Sequence, residues 1–491
     1  MDYLKKIALL VFVFTILSSS LFAQVIIRDQ LGRQVIYRGI NARVKGIFDV
    51  DFDDGRLPLE RIPEFNEKDA EQLVSIGFNF IRLPVNWSAI APAPSHFNEN
   101  YIRSILKFLD LCHRYNISVL LDMHQDAYSK EIGEDGAPDW AILPSSYKKT
   151  EGGDLGNLLL KRISPDTQKA FANFWKNESV FGEGLQEHYI AAMMYLLRKT
   201  AHHPAVVGIE IFNEPWLLNI KKLSNQKEFE TLGVSIDMLW QFYAKSISAI
   251  RAEFPQIWIY LEPDVSKSVV VPFLSEGKDP YKAVGLPLIP PWNTYKTVYA
   301  PHLYTLNFVL GNVLGKDRLN PNDPDTFKSL NYSIAEADQI KSALMIGEFG
   351  FTHESKNYEK TLHNILDFAD TNFFHTAQWV WKESSQNSWG FWDYSEKTGY
   401  VFRQSVAAKS ARAYPSKISG LMSSFKLDRE KKSLRINLKN PNNLAEHEIV
   451  WPVKYSYSES PQVLCGENAV SYRLELSRLF FKCNQSSIFI R

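Results

Sequence analysis

Eight short apolar runs recur through residues 34–382, and they limit the fold more than any other feature of the chain. They are QVIYRGINA (34–42), FNFIRLPV (78–85), ISVLLDMH (117–124), VVGIEIFNE (206–214), IWIYLE (257–262), TVYAPHLY (297–304), ALMIGEFG (343–350) and TAQWVWK (376–382). Helical period fills several of the gaps. In NENYIRSILKFLDLCHRYN, Asn98 suits an N-cap, and Ile102, Ile105, Leu106 and Leu109 share one face. QEHYIAAMMYLLRKTA, before the fourth run, is similar. Buried strands alternating with helices predict an α/β fold, a closed (β/α)8 barrel. An open doubly wound sheet fits less well, because no glycine-rich phosphate loop follows the first run.

The texture changes near residue 415. Helical period fades, and SLRINLKN, EIVWPVKYSY, SYRLELS and SSIFIR read as short strands separated by turn residues. This predicts a small C-terminal antiparallel β-sandwich over 414–491, packed on a barrel spanning 24–413. Residues 1–23 form a leader: Lys5 and Lys6 precede IALLVFVFTIL, and small residues surround Ala23. Export to the periplasm or the medium is therefore expected. The run is too short to span a bilayer, and no cysteine follows it for lipid attachment.

Lys+Arg and Asp+Glu both number 55, so the chain lacks the basic footprint of a nucleic-acid binder and an electrostatic membrane anchor. Of the three cysteines, Cys112 lies on the apolar stripe of a helix and reads as core. Cys465 and Cys483 form either a disulfide or a pair of neighbouring hairpin thiols. Neither arrangement suits a metal, and no metal or cofactor is expected. A monomer is expected. Asn177 and Asn331 each begin an Asn-X-Ser sequon.

In such a barrel the active site lies at the C-terminal ends of the strands. Polar residues gather there: Arg82 after run two; Asp122, His124, Gln125 and Asp126 at run three; Asn213 and Glu214 at run four; His302 and Tyr304 at run six; Glu348 at run seven; Trp381 at run eight. Two carboxylates facing each other without a metal cluster fit glycoside hydrolysis. One acts as acid and needs a raised pKa; the other attacks the anomeric carbon and must stay ionised. Arg82 is a suitable cation for the nucleophile. Asn213 suits a sugar 2-hydroxyl, Tyr304 the support of the nucleophile, and Trp381 the floor under the reacting sugar.

These residues, in this order, resemble glycoside hydrolase family five. FNEP with Glu214, IGEFG with Glu348, IRLP with Arg82, DMH with His124, PHLY with His302 and Tyr304, and Trp381 all match. The resemblance implies that Glu214 is the acid/base and Glu348 the nucleophile of a retaining β-glycosidase. Within the family the chain is similar to the endoglycoceramidases, through LDMHQDAYS and through RAYPSKISG, where Ala413 replaces a proline. That likeness implies hydrolysis of the bond between glycan and ceramide, with Lys45 and Asp126 touching sugar. The partner would be a glycolipid, met at a micelle or membrane surface. Apolar stretches after runs five and six (269–293 and 306–315) suit a lipid aglycone on the active-site face. The alternatives are a β-glucosidase acting on glucosylceramide or steryl glucosides, an endo-β-glucanase, and, more distantly, a non-catalytic carbohydrate-binding barrel.

Overall fold

The computed structural model describes residues 25–217, 234–265, 267, 286–305, 317–385 and 389–491. The leader and the stretch 306–315 lie outside them, as does most of 269–293.

Eight parallel strands close into a barrel. In chain order they are Arg38–Asn41, Phe80–Asn86, Ser118–His124, Val206–Glu210, Trp258–Leu261, Thr297–Tyr299, Ala343–Ile346 and His375–Gln378, here strands one to eight. Each overlaps one of the eight apolar runs. Strand eight closes on strand one, with Gln378 opposite Ile40. Strands one and two approach so closely that a Cβ on Gly39 would stand 2.5 Å from the Phe80 ring, which explains a glycine there.

Alternation along the strands sorts side chains into two environments. Ile81, Leu83, Val119, Leu121, Ile209 and Ile259 join the core beneath the outer helices. Phe80, Leu120, Tyr260, Val298, Met345 and Ala377 fill the bottom of the barrel interior. Two residues further along strands two, three and five stand Arg82, Asp122 and Glu262, all buried. The interior is therefore apolar at its floor and charged at the carboxyl ends of its strands. The helices outside follow their sequence signals. Helix Glu99–Arg114 is capped by Asn98, whose side chain accepts from the Tyr101 N–H at 3.1 Å, and it buries Ile102, Ile105, Leu109 and Cys112.

After the barrel come two five-stranded antiparallel sheets that share one core. The first run proves to be two strands. Gln34–Val35 pairs with Tyr414–Ile418 in the C-terminal sheet, and only Arg38–Asn41 enters the barrel. The segment that opens the barrel at the expected boundary thus packs both ways: Ile36 joins the core of the C-terminal sheets, while Ile27, Val35 and Tyr37 pack with Phe80 and Leu120 at the barrel floor. Further ties cross the boundary. The Tyr414 hydroxyl donates to the Gly77 carbonyl at 2.8 Å, and Asp370 pairs with both Arg38 and Arg412.

The described end of the apolar stretch 269–293 leads into the start of strand six, at the floor of the barrel. There Gln339, the last residue of helix Pro324–Gln339, donates to the Pro287 carbonyl at 3.0 Å. Leu288 and Ile289 are exposed at that end, away from the charged face. A segment approaching a strand's N-terminus must lie there, so this part does not line the active-site face.

Cys465 and Cys483 are bonded, which settles the open alternative. The bridge ties strand Val463–Cys465 of one sheet to the chain just after Arg478–Phe481 of the other. It closes a loop of 18 residues. Replacing both cysteines by alanine should lower stability by about 3 kcal/mol, the scale for a loop of this length. Urea denaturation against the unreduced parent checks this.

Candidate active site

Strand two delivers Arg82 to the centre of the barrel with no exposed surface. Its Nε donates to Glu210 at 2.5 Å. Nη1 donates to Glu348 at 2.7 Å and to the Asn41 side chain at 3.0 Å. Nη2 donates to the Asn213 side chain at 2.8 Å and to Glu262 at 3.0 Å. Asp122 lies 3.1 Å from Nη1. Burial alone would weaken the guanidinium's hold on its proton. The four surrounding carboxylates more than reverse that, and the pKa stands well above its ordinary value.

Around this hub the two carboxylates singled out in the sequence come together. Glu348 accepts from Arg82 on one oxygen and from the Tyr304 hydroxyl at 3.0 Å on the other. Glu214 follows strand four with φ of 41°, and its Oε1 lies 2.9 Å from His302 Nδ1. The same nitrogen is 3.6 Å from Glu348 Oε2. One oxygen of each carboxylate lies within 4.8 Å of the other and of His302. His302 Nε2 faces Glu262 at 3.2 Å.

Asn213 is held as well as holding. Its Nδ2 donates to the Gln125 carbonyl at 2.8 Å, while Gln125 Nε2 donates to the carbonyls of Asn213 and Glu214. His124 Nδ1 is 2.6 Å from Asp122, and Nε2 faces Asp126 at 3.6 Å. Arg162, the last residue of the short helix Leu158–Arg162, pairs with both Asp126 and Glu214.

The two carboxylates are shifted opposite to the sequence expectation. Burial pushes Glu214 upward, but Arg162 and His302 prevail and hold it far below the usual carboxylate range. Glu348 is raised by burial, against the pull of His302 and Arg82. Glu262 is raised well above its normal value by burial and by Glu210 beside it. His124 and His302 are desolvated, yet their carboxylate neighbours raise both well above the usual imidazole value.

Two expected members stand elsewhere. Lys45 falls where the chain turns after strand one; its side chain is 65% exposed and pairs with Glu64 at 3.4 Å, away from the cluster around Arg82. Arg43 takes the inward position instead, buried with Glu383 at 2.7 Å and Glu60, its head 5.6 Å from the Trp379 ring. Trp381 also misses the cluster. It is buried against Phe391, and its indole N–H donates to Asp69 at 2.9 Å. Strand eight ends at Gln378, so Trp379 holds the strand-end position, stacked on His124 with 6.0 Å between ring centroids. The sequence reading also passed over Asn41, Glu210, Glu262 and Arg162. The last residue of IWIYLE and the lone acid within VVGIEIF were signals for Glu262 and Glu210. Arg162 carried none.

An open cleft of about 490 Å³ lies beside this centre. The segments after strands one, two and three form it, with Phe48, Asp51, Arg56, Tyr101 and Lys130 among its lining. Phe48 also packs on His124, 5.7 Å between ring centroids, so the cleft opens next to the charged face. Among the described residues, three groups of histidine and carboxylate atoms are close enough to converge on a cation. Each includes His124 or His302, and carboxylate neighbours raise the pKa of both imidazoles.

Residues 58–385 match the model of the cellulase family, glycosyl hydrolase family 5. The chain is 27% identical over 401 residues to endoglycoceramidase I of Rhodococcus hoagii, covering 80% of this chain and 71% of that protein. It is 21% identical over 450 residues to an endoglycoceramidase of Cyanea nozakii, covering 82% and 77%. The structure of endo-glycoceramidase II from Rhodococcus sp. in complex with ganglioside GM3 shares the fold. Its TM-score is 0.72 at 21% identity, over 95% of this chain and 99% of that one.

Substituting Arg82→Met would leave four buried carboxylates without their cation. The expected loss of stability at pH 7 is about 3–5 kcal/mol. The deficit should shrink at pH 5, because protonation of the raised Glu348 and Glu262 removes uncompensated charge. Urea unfolding of parent and variant at both pH values checks this; equal deficits would contradict it.

Proposed function

The chain belongs to glycosyl hydrolase family 5, and on that premise we propose that this glycoside hydrolase cleaves the β-glycosidic bond between the glycan and the ceramide of a glycosphingolipid. The observation that carries the chemistry is the pair Glu214 and Glu348, with oxygens within 4.8 Å across His302. Inverting glycosidases keep their carboxyl groups about 6.5–9.5 Å apart to admit a water; retaining ones hold them at about 5–5.5 Å. The close approach supports the retaining course.

Glu348 attacks the anomeric carbon while the bond to the ceramide oxygen breaks. Glu214 delivers a proton to that oxygen, and ceramide leaves as an alcohol. The deprotonated Glu214 then takes a proton from water, whose oxygen displaces Glu348 and releases the glycan with its configuration retained. Arg82 and Tyr304 each donate to one oxygen of Glu348, which orients it for attack. Asn213 keeps a second amide hydrogen beyond its bond to Gln125, suited to the sugar 2-hydroxyl. Trp379 takes the role of floor that the sequence suggested for Trp381.

Two features favour release of an intact glycan over removal of a single glucose. The relatives named endoglycoceramidase cover most of the chain. The cleft beside His124 has room for sugars beyond the reacting one. Export belongs to the same proposal: the leader-like residues 1–23 and the disulfide both suit an oxidising compartment. A monomer working at a micelle or membrane surface completes the reading.

With lactosylceramide in detergent, the expected products are intact lactose and free ceramide. Free glucose and galactose, or action on cello-oligosaccharides alone, would overturn the substrate reading. Glu348→Gln should abolish turnover on every substrate. Glu214→Gln should lose about 10²–10⁴-fold on lactosylceramide and far less on a dinitrophenyl lactoside, whose leaving group needs no proton.

A further inference from the structure

Glu214 cannot act as an acid while both of its oxygens are engaged as they are here. Its Oε1 accepts from His302 Nδ1, and its Oε2 accepts from Arg162 Nη2. A carboxylate taking hydrogen bonds from an imidazolium and a guanidinium is an acceptor only. A glycosidic oxygen needs a proton on one of these oxygens. His302 is fixed at the end of strand six, with Glu262 on its far nitrogen. Oε2 is therefore the oxygen to be freed, and Arg162 is the group to be displaced.

Arg162 is built to give way. Unlike Arg82, it does not stand on a barrel strand; it ends a five-residue helix on the rim, and its side chain is 12% exposed. Its Nε donates to the Asp126 carbonyl at 2.7 Å, and Nη2 also pairs with the Asp126 carboxylate. Only Nη2 touches Glu214, so that contact can break while the anchor on Asp126 stays. Arg162 thus links the residue proposed to touch sugar with the residue proposed to protonate the leaving group.

We propose that Arg162 is a positioning residue that acts through Glu214, holding Oε2 and surrendering it to the leaving-group oxygen when substrate binds. The proposal rests on the reading of Glu214 as acid/base. Around the Glu214 carboxyl group stand Arg162 and Asp126 from the segment after strand three, His302 and Tyr304 after strand six, Glu348 after strand seven and Glu262 after strand five. Glu134 stands near Arg162. Of the cations here, Arg162 is the one that a ligand reaching Oε2 must displace. Its departure removes a positive charge from Glu214 at the moment a proton is needed there. The lowered pKa of Glu214, with Arg162 among its causes, agrees with this.

The test is a pair of pH profiles with lactosylceramide micelles. The alkaline limb of kcat/KM reports the free enzyme, and that of kcat reports the complex. In the wild-type protein the kcat/KM limb should lie at lower pH than the kcat limb; coincident limbs overturn the proposal without any variant. In Arg162→Gln the kcat/KM limb should rise by about 1–3 pH units toward the kcat limb, the range for losing an adjacent opposite charge. The kcat limb should stay in place. Arg162→Lys, which keeps the charge, should restore a limb below that of Arg162→Gln. An unmoved kcat/KM limb in a folded Arg162→Gln overturns the proposal, as does an equal shift of both limbs. Glu214→Gln separates the two levels of inference: if it keeps the wild-type alkaline limb, Glu214 is not the acid, and the underlying reading fails instead.

Discussion

One guanidinium, Arg82, shut off from water and ringed by Asp122, Glu210, Glu262 and Glu348, holds the charged half of this barrel together. Burying a single carboxylate costs several kcal/mol unless it is paired. Here four are admitted around one cation, with His124 and His302 as further positive charges at the rim of the same group. The cation reaches five barrel strands and the residues after them. Its loss would therefore be felt by strand packing and by the reacting carboxylates alike. A lysine offers one ammonium in place of a planar fork and could not make the five hydrogen bonds that Arg82 makes.

The same crowding decides how protons are shared. Burial raises Glu262 and Glu348, so each holds a proton more readily than an ordinary carboxylic acid. Glu214, facing Arg162 and His302, is held far below the usual carboxylate range. The proposed retaining course needs the reverse, a proton on Glu214 and a charge on Glu348, and displacement of Arg162 by substrate is a physical reason for that change to coincide with binding.

Much of this was legible in the sequence because a barrel strand advertises itself twice, once as an apolar run and again as a polar residue where the run stops. All eight strands, and the meeting of Glu214 with Glu348, follow from that signal. The errors came from positions where one or two residues change which way a side chain faces. Trp381 lies near the end of the eighth run, but the strand itself stops at Gln378, which leaves Trp379 at the strand end. Lys45 comes from the family likeness alone, and the turn after strand one directs it to solvent. Gln34 and Val35 looked continuous with strand one, yet they pair nearly 400 residues away with Ile418 and Lys417. Arg162 comes from a rim segment between strands three and four, and only tertiary structure brings it to Glu214.

The most direct measurement is covalent trapping of the reacting carboxylate. A lactosyl fluoride carrying fluorine at C2 lets the first displacement proceed and slows the second, so a retaining enzyme accumulates as its glycosyl ester. Peptide mapping by mass spectrometry should find one fluorolactosyl group per chain, on the peptide that contains Glu348. A label on Glu214, or inactivation-free turnover with no covalent species, would contradict the assignment of Glu348 as the nucleophile of a retaining glycosidase.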